Sequence, residues 1–357
     1  MINVTKTFLP PFDEYTAMLK KAWDKSWITN NGDLLRELEQ KLKDYLQVKN
    51  LQLCSNGTVV LQMALKALNI TGEVITTPFS YVATSTAILW ERCTPVFVDI
   101  NDTDFCIDAS KIEAAITNKT QAILATHVYG HPCDVEAIEK IAVKHGLKVI
   151  YDAAHAFGTQ YKGKSIFNYG DISTCSFHAT KIFHMGEGGC TVTNNDELDN
   201  QLMLYRQFGH IGDEYFTIGI NAKNSEFHAA MGLCNLKYID QIFQGRKDKW
   251  LHYYSLLKSS NLQLLDIKKD VDYNYAYFPV IFSSEDGLLK AMADLKESQI
   301  FPRRYFYPSL NTLHYINGQS CPVSESVAKR VFCIPLYHDL TIAQQQQIVQ
   351  IILNSQQ

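Results

Sequence analysis

A chain of 357 residues, 46% of them apolar, is long enough to bury a sizeable core and to fold as two domains. Its net charge of −4 and pI near 6.3 leave no basic footprint for nucleic acid or for an anionic membrane surface. The nine cysteines stand singly with no Cys-x-x-Cys, which suits neither a disulfide framework nor a zinc knuckle. No metal is expected, and the cysteines read as small buried hydrophobes in a reducing compartment. The first fifteen residues have no apolar leader core, and no later run is apolar for long enough to span a bilayer. A soluble, cytoplasmic protein is expected.

From about residue 33 the chain alternates amphipathic helices with short apolar strands. Leu34, Leu38, Leu42 and Tyr45 mark one helix face, and Val60, Ala64, Leu65 and Leu68 mark another. Strands are predicted over 51–54, 74–76, 95–98, 122–126, 149–152, 172–176 and 190–193. A crossover helix over 135–145 ends at Gly146, the residue that best adopts a left-handed cap. Seven strands joined by helical crossovers predict an α/β fold around one mostly parallel sheet, covered on both faces. After about residue 240 the pattern changes. It reads as a strand over 273–282, a helix over 285–298, a long loop over 305–321, and helices over 324–332 and 342–353. The expected division is a large domain over 11–240 and a smaller α+β C-terminal domain over 241–357, joined by residues 1–10.

Three polar clusters follow predicted strands, at the strand ends where open α/β sheets bind ligands. Ser55-Asn56-Gly57-Thr58 opens a helix, and its backbone N–H groups and Thr58 hydroxyl suit an anion. Asn56 reads equally well as a plain N-cap. Asp152, in Tyr151-Asp152-Ala153-Ala154-His155, is a carboxylate at the end of an apolar strand, costly there unless a cation or a donor meets it. It reads equally well as a cap of the next turn. Lys181, in Ser176-Phe177-His178-Ala179-Thr180-Lys181, lies just past a buried strand, where burial would favour the neutral, nucleophilic amine. Most lysines in loops are simply solvated. The combination is more specific than its parts: it suits a phosphorylated, electron-poor pyridine carrying an aldehyde. Tyr81 could stack on such a ring or could be a core tyrosine.

These segments resemble the DegT/StrS family of nucleotide-sugar aminotransferases. The likeness continues through Asn31-Gly32, Thr77-Pro78-Phe79-Ser80-Tyr81-Val82-Ala83-Thr84, Glu187-Gly188-Gly189, Gly219-Ile220-Asn221-Ala222-Lys223 and Arg303-Arg304-Tyr305. The resemblance implies a pyridoxal-phosphate enzyme of the aspartate-aminotransferase fold type (fold type I). Lys181 would bind the cofactor covalently, and Asp152 would pair with its pyridine nitrogen. Gly57, Thr58 and Ser176 would hold the phosphate, Tyr81 would stack on the ring, and His155 would lie near the phenolic oxygen. Asn221 matches a residue that reaches the partner subunit's phosphate, which implies a homodimer with shared active sites. His178, Lys223 and the Arg303-Arg304-Tyr305 loop would face the sugar and its diphosphate.

The implied reaction moves an amino group from L-glutamate to a keto sugar. His178, where many 3-amino-sugar enzymes have Tyr, resembles members that aminate C4, with dTDP-4-keto-6-deoxyglucose as substrate and O-antigen or related polysaccharide synthesis as the setting. A 3-keto-sugar aminotransferase or a non-catalytic binding protein for the cofactor or a nucleotide sugar are the alternatives. Three positions depart from the family pattern: Asn56 for Ser, Lys223 for Arg, and Ile182 for Asn. Lys181 argues against a sugar dehydratase, whose members carry histidine there. The absence of a Gly-rich turn after the first strand argues against a dinucleotide-binding dehydrogenase.

Overall fold

A computed structural model describes residues 1–316 and 318–356; Asn317, inside the expected 305–321 loop, and Gln357 lie outside the described residues. The seven expected strands form one sheet: β1 (Asn50–Cys54), β2 (Glu73–Thr76), β3 (Thr94–Phe97), β4 (Thr120–Thr126), β5 (Lys148–Asp152), β6 (Ile172–Ser176) and β7 (Gly189–Thr193). Their spatial order is β1-β7-β6-β5-β4-β2-β3. β2 through β6 pair in parallel, and β7 runs antiparallel to both β6 and β1. The strands read as unbroken apolar runs because both faces are covered. Alternate residues serve opposite cores: Val149 and Tyr151 pack on one side of β5 and Ile150 on the other.

Register places the strand ends side by side. Thr126 pairs with Asp152 and Asp152 with Thr174, while Ser176 pairs with Gly189, and Gly189 with Cys54. The carboxyl ends of β1, β2, β4, β5 and β6 therefore open on one rim. β5 leads into a short hairpin of Gln160–Tyr161 with Lys164–Ser165; each of the others is followed by a helix or by the turn that leads back into β7. The predicted crossover helix spans Val135–His145 and is closed by Gly146 at φ 65°.

Past residue 240 the structure is less regular than expected. Only Pro279–Ile281 of the 273–282 stretch is strand, in a three-stranded sheet with Gln263–Leu264 and Val331–Cys333. Side chains take the place of the missing ladder. Arg246 donates to Tyr275 O and Ala276 O, Trp250 Nε1 donates to Tyr277 O, and Asn274 Oδ1 accepts from Ala276 N–H. A 19-residue helix, Ile239–Leu257, presents that arginine and tryptophan; with Phe12–Asp24 it is a helix that the sequence patterning does not reveal. The residue pair Ile2–Asn3 runs parallel to Ile300–Phe301. All nine cysteines are buried and unpaired, and among the described residues no helix is long and apolar enough to cross a membrane.

The Asn31-Gly32 motif has a structural use. Glu226, 1% exposed, accepts from Leu34 N–H (2.8 Å) and Leu35 N–H (3.0 Å), capping the helix Asp33–Leu46 from a distant segment. A Cβ on Gly32 would stand 2.4 Å from the Glu226 carboxyl carbon. Gly32→Ala should therefore displace this cap and destabilise the fold by about 1–3 kcal/mol. Urea titration will read this as a lower midpoint at constant slope, and an unchanged midpoint would show that the cap is dispensable.

Candidate active site

The rim of strand ends holds a cavity of about 290 Å³. Of the residues singled out in the sequence, Gly57, Thr58, Tyr81, Asp152, His155, Ser176, His178, Lys181, Arg303 and Tyr305 line it. They come from four separate strand ends and from the 303–307 segment of the C-terminal part, and only the fold brings them together.

At the end of β1, Asn56 caps the helix Gly57–Ala67 by accepting from Thr58 N–H (3.0 Å) and Val59 N–H (2.9 Å). The cap leaves the site open to an anion, since it fixes the helix start that presents Gly57 and Thr58 to the cavity. Gly57 is required by contact: a Cβ there would lie 2.6 Å from Ser176 Cβ and 2.9 Å from its Oγ. The helix start and the Ser176 hydroxyl thus close on each other as a cradle of donors.

Asp152 ends β5 at 6% exposure. Its Oδ1 accepts from Ala154 N–H (3.1 Å), the turn-capping role, and its Oδ2 accepts from the Thr84 hydroxyl (2.8 Å). Beside it the buried His127 stacks on Tyr151 at 4.7 Å. Cys133 N–H donates to His127 Nδ1 (3.1 Å), so the ring proton sits on Nε2, which has no partner. Burial pushes His127 down to about 3, against the pull of Asp152.

Lys181 lies in the turn between β6 and β7. Hydrogen bonds from Phe177 N–H to Gly188 O and from Ala179 N–H to Gly186 O, both 2.8 Å, tie this turn together. Phe177 and Phe183 anchor it as fully buried rings 4.9 Å apart. Burial lowers Lys181 from the ordinary lysine value and so favours the neutral amine, opposed chiefly by Asp152. His155, buried and stacked on Phe306, is held well below its usual value by burial and then by Lys181, and its Nδ1 has no hydrogen-bond partner.

Other predicted residues stand elsewhere. Arg304 does not reach the cavity. Its guanidinium donates to Glu285 (2.9 Å) and to Lys329 O (2.9 Å) at the C-terminal end of the helix Pro322–Arg330, and it covers the Tyr307 ring at 3.5 Å. Asn221 is exposed, with Gln207 as its bridge partner, and Lys223 covers the Phe208 ring at 4.5 Å; neither lines this chain's cavity. His178 Nδ1 accepts from Thr180 N–H (3.2 Å), which leaves Nε2 as donor, 3.6 Å from Glu187 Oε1. Ser80 and Glu187, which stand in family segments but received no role, and Thr126, Tyr277 and Phe306 also line the cavity.

A phosphorylated pyridine aldehyde fits this set: a donor cradle for its phosphate, a carboxylate for its nitrogen, an orphaned imidazole nitrogen on the wall, and a lysine of lowered basicity.

The neutral histidines set a pH limit. Below the ordinary value of 6.5 the unfolded chain binds protons that folded His127 refuses down to about 3, so stability falls with pH across that window. His127→Gln, which keeps an acceptor for Cys133 N–H, should flatten the decline in thermal midpoint between pH 6.5 and 4.5, by an amount on the order of one titrating group. An identical decline in the variant would remove His127 from that role.

A family model for the DegT/DnrJ/EryC1/StrS aminotransferases matches residues 12–353. A dTDP-4-amino-4,6-dideoxy-D-glucose transaminase of Escherichia coli is 42% identical over 356 residues, covering 95% of this chain and 94% of the relative. A transaminase of the same name from Shigella dysenteriae is 40% identical over 348 residues, covering 95% of each. The solved structure of DesI with its TDP-sugar product superposes with a TM-score of 0.94 at 29% identity, covering 99% of this chain and 92% of that one. The chain belongs to the DegT/DnrJ/EryC1/StrS aminotransferase family and is a pyridoxal-phosphate-dependent transaminase.

Proposed function

We propose that this enzyme transfers the amino group of L-glutamate to C4 of a nucleotide-linked 4-keto-6-deoxy sugar, dTDP-4-keto-6-deoxyglucose, in the cytoplasm, supplying O-antigen or a related surface polysaccharide. The observation that carries the reading is the convergence of Lys181, Asp152 and the Gly57–Ser176 cradle on one cavity, in a chain so similar over its whole length to two such sugar transaminases.

The chemistry that pyridoxal phosphate supplies when bound is an aldehyde for a primary amine and an electron-poor ring that accepts charge. Gly57, Thr58 and the Ser176 hydroxyl would hold the phosphate, Tyr81 would cover the ring, and Asp152 would pair with the ring nitrogen. His155 would stand near the phenolic oxygen, neutral and so adding no charge. Lys181 would hold the cofactor covalently. Its Nζ would take the proton from the donor's α-carbon as a base and deliver it, as an acid, to the carbon that had carried the aldehyde. Burial supports that role, because a lysine of ordinary basicity would stay protonated. Tyr277, Tyr305 and Phe306 wall the site with aromatic surface and limit water.

Arg303 and His178 Nε2–H supply the donors that face the sugar and its diphosphate, with Tyr305 under the Arg303 guanidinium at 5.4 Å. A second copy of the chain completes the site. The segment 208–220 exposes Phe208, Ile211, Tyr215, Phe216, Ile218 and Ile220, an apolar surface suited to a homodimer interface that would bring Asn221 and Lys223 to the partner's cavity.

Absorbance of the protein loaded with pyridoxal phosphate tests the reading. The bound band should be lost on adding glutamate and restored by dTDP-4-keto-6-deoxyglucose, and Lys181→Ala should show no covalent band. Wild type and Lys181→Ala behaving alike would defeat it. The two arginines should separate. Arg303→Ala should raise KM for the sugar about tenfold or more while leaving the glutamate half-reaction intact, as expected for a lost charge-assisted contact. Arg304→Ala should lower the unfolding midpoint without a selective change in sugar KM. Equal loss in both half-reactions for Arg303→Ala would count against its place at the sugar.

A further inference from the structure

Asp152 is the end of a line of buried hydroxyls. Thr84 Oγ1 lies 2.8 Å from Asp152 Oδ2, Ser80 Oγ lies 2.8 Å from Thr84 Oγ1, and Thr126 Oγ1 lies 3.1 Å from Ser80 Oγ. Thr84 is fully buried, and Ser80 and Thr126 are each 2% exposed. The direction of every bond follows from the first. An ionised carboxylate only accepts, so the Thr84 proton goes to Asp152. With its single proton committed, Thr84 must accept from Ser80, and Ser80 in turn from Thr126. Three hydroxyl dipoles therefore point the same way, each polarising the next, toward one carboxylate oxygen.

The backbone explains how they meet. Thr126 ends β4 opposite Asp152 in register, while Ser80 and Thr84 bracket the start of the helix Val82–Trp90. The other oxygen, Oδ1, is held by Ala154 N–H, so the carboxylate is fixed at both ends. A group needed only to fill space here could be apolar, and a lone polar group would need one partner, not a chain of three.

We propose that Thr84, backed by Ser80 and Thr126, is a positioning residue for the transamination. It locks the Asp152 carboxylate in one orientation and keeps it ionised beside the cofactor's ring nitrogen. This rests on the reading of Asp152 as that nitrogen's partner. Thr84 touches neither cofactor nor substrate and acts only through Asp152.

The test uses holoenzyme carrying Thr84→Val, Thr84→Ser, Asp152→Asn or Thr84→Val with Asp152→Asn. Two readouts are taken: the single-turnover rate with glutamate, and the pH midpoint of the bound cofactor's absorbance. Thr84→Val keeps the side chain's shape and should slow the half-reaction by about 10-fold to 100-fold, the loss of one hydrogen bond to a charged group. It should move the absorbance midpoint toward that of Asp152→Asn, and Thr84→Ser should restore most of both. In the double variant Thr84→Val should add little to Asp152→Asn, because its effect passes through the missing charge. Should Thr84→Val fold poorly, Ser80→Ala, one link further out, should give a smaller shift in the same direction. An unmoved midpoint and rate in Thr84→Val and Ser80→Ala, or independent multiplication of the two effects in the double variant, overturns the proposal while the wild-type band stands. Absence of the band in wild type would instead overturn the functional reading, and this proposal with it.

Discussion

A carboxylate at the end of a central parallel strand sits where water is scarce and neighbouring strands crowd both sides, and its burial costs several kcal/mol unless donors or cations meet it. Asp152 is in that position, between Thr126 of β4 and Thr174 of β6. Two protein donors meet it directly, at Oδ1 and Oδ2, and the remaining lone pairs are left for a ligand. Much of the site can be understood as arranged around this one group. The hydroxyls of the β2–helix connection reach in from one side. The β6–β7 turn brings Lys181 close enough for Asp152 to be the leading opponent of its desolvation. The cavity opens where these ends diverge.

The same burial sorts the neighbouring bases. Burial lowers Lys181 from the ordinary lysine value and Asp152 opposes that shift. His155 and His127 lie in the same low-dielectric region, and both are kept neutral by it. A protonated imidazole beside Lys181 would make the lysine a poorer base and would weaken the contrast between Asp152 and its surroundings. Packing enforces neutrality through stacking, His155 on Phe306 and His127 on Tyr151, so the electrostatics of the site follow from its aromatic core.

What the sequence reveals depends on whether a feature is local. The seven strands are legible because a strand buried on both faces must be a continuous apolar run, and β7 is told from the parallel set only by the structure. Asp152, Lys181 and the Ser55–Thr58 turn are legible because each immediately follows such a run. The helix Phe12–Asp24 is not, because of its residues only Ala22 is fully buried, and Phe12 and Trp23 face outward. The 273–282 stretch reads as a strand because it is aromatic and apolar, yet Arg246 and Trp250, contributed from another helix, take up the backbone carbonyls a ladder would use. Thr84, Tyr277 and Phe306 are invisible as site residues because nothing in their own segments says what lies across from them. Arg303 and Arg304 illustrate the same limit at one-residue scale. In an irregular segment the two neighbours point apart, one into the cavity and the other onto a helix end, and sequence spacing carries no sign of which is which.

The proposed site also shows a division of labour. Residues assigned to the cofactor's ring and phosphate come from strand ends, whose positions are tied by hydrogen-bond register across the whole sheet; a shift there would disturb the core on both faces. Residues assigned to the sugar come from the 303–307 segment, from His178 at the mouth, and from the exposed 208–223 stretch. Their restraints are local: the backbone pairing of Arg303 with Cys333, the contact of His178 with Thr180, and the cover of Lys223 over Phe208. Substitutions in the second set can alter which sugar is accepted without loosening the first. A fold organised this way keeps one proton-transfer chemistry while its acceptor changes. Substrate choice should therefore be sought in these peripheral segments, and the shared chemistry in the strand ends.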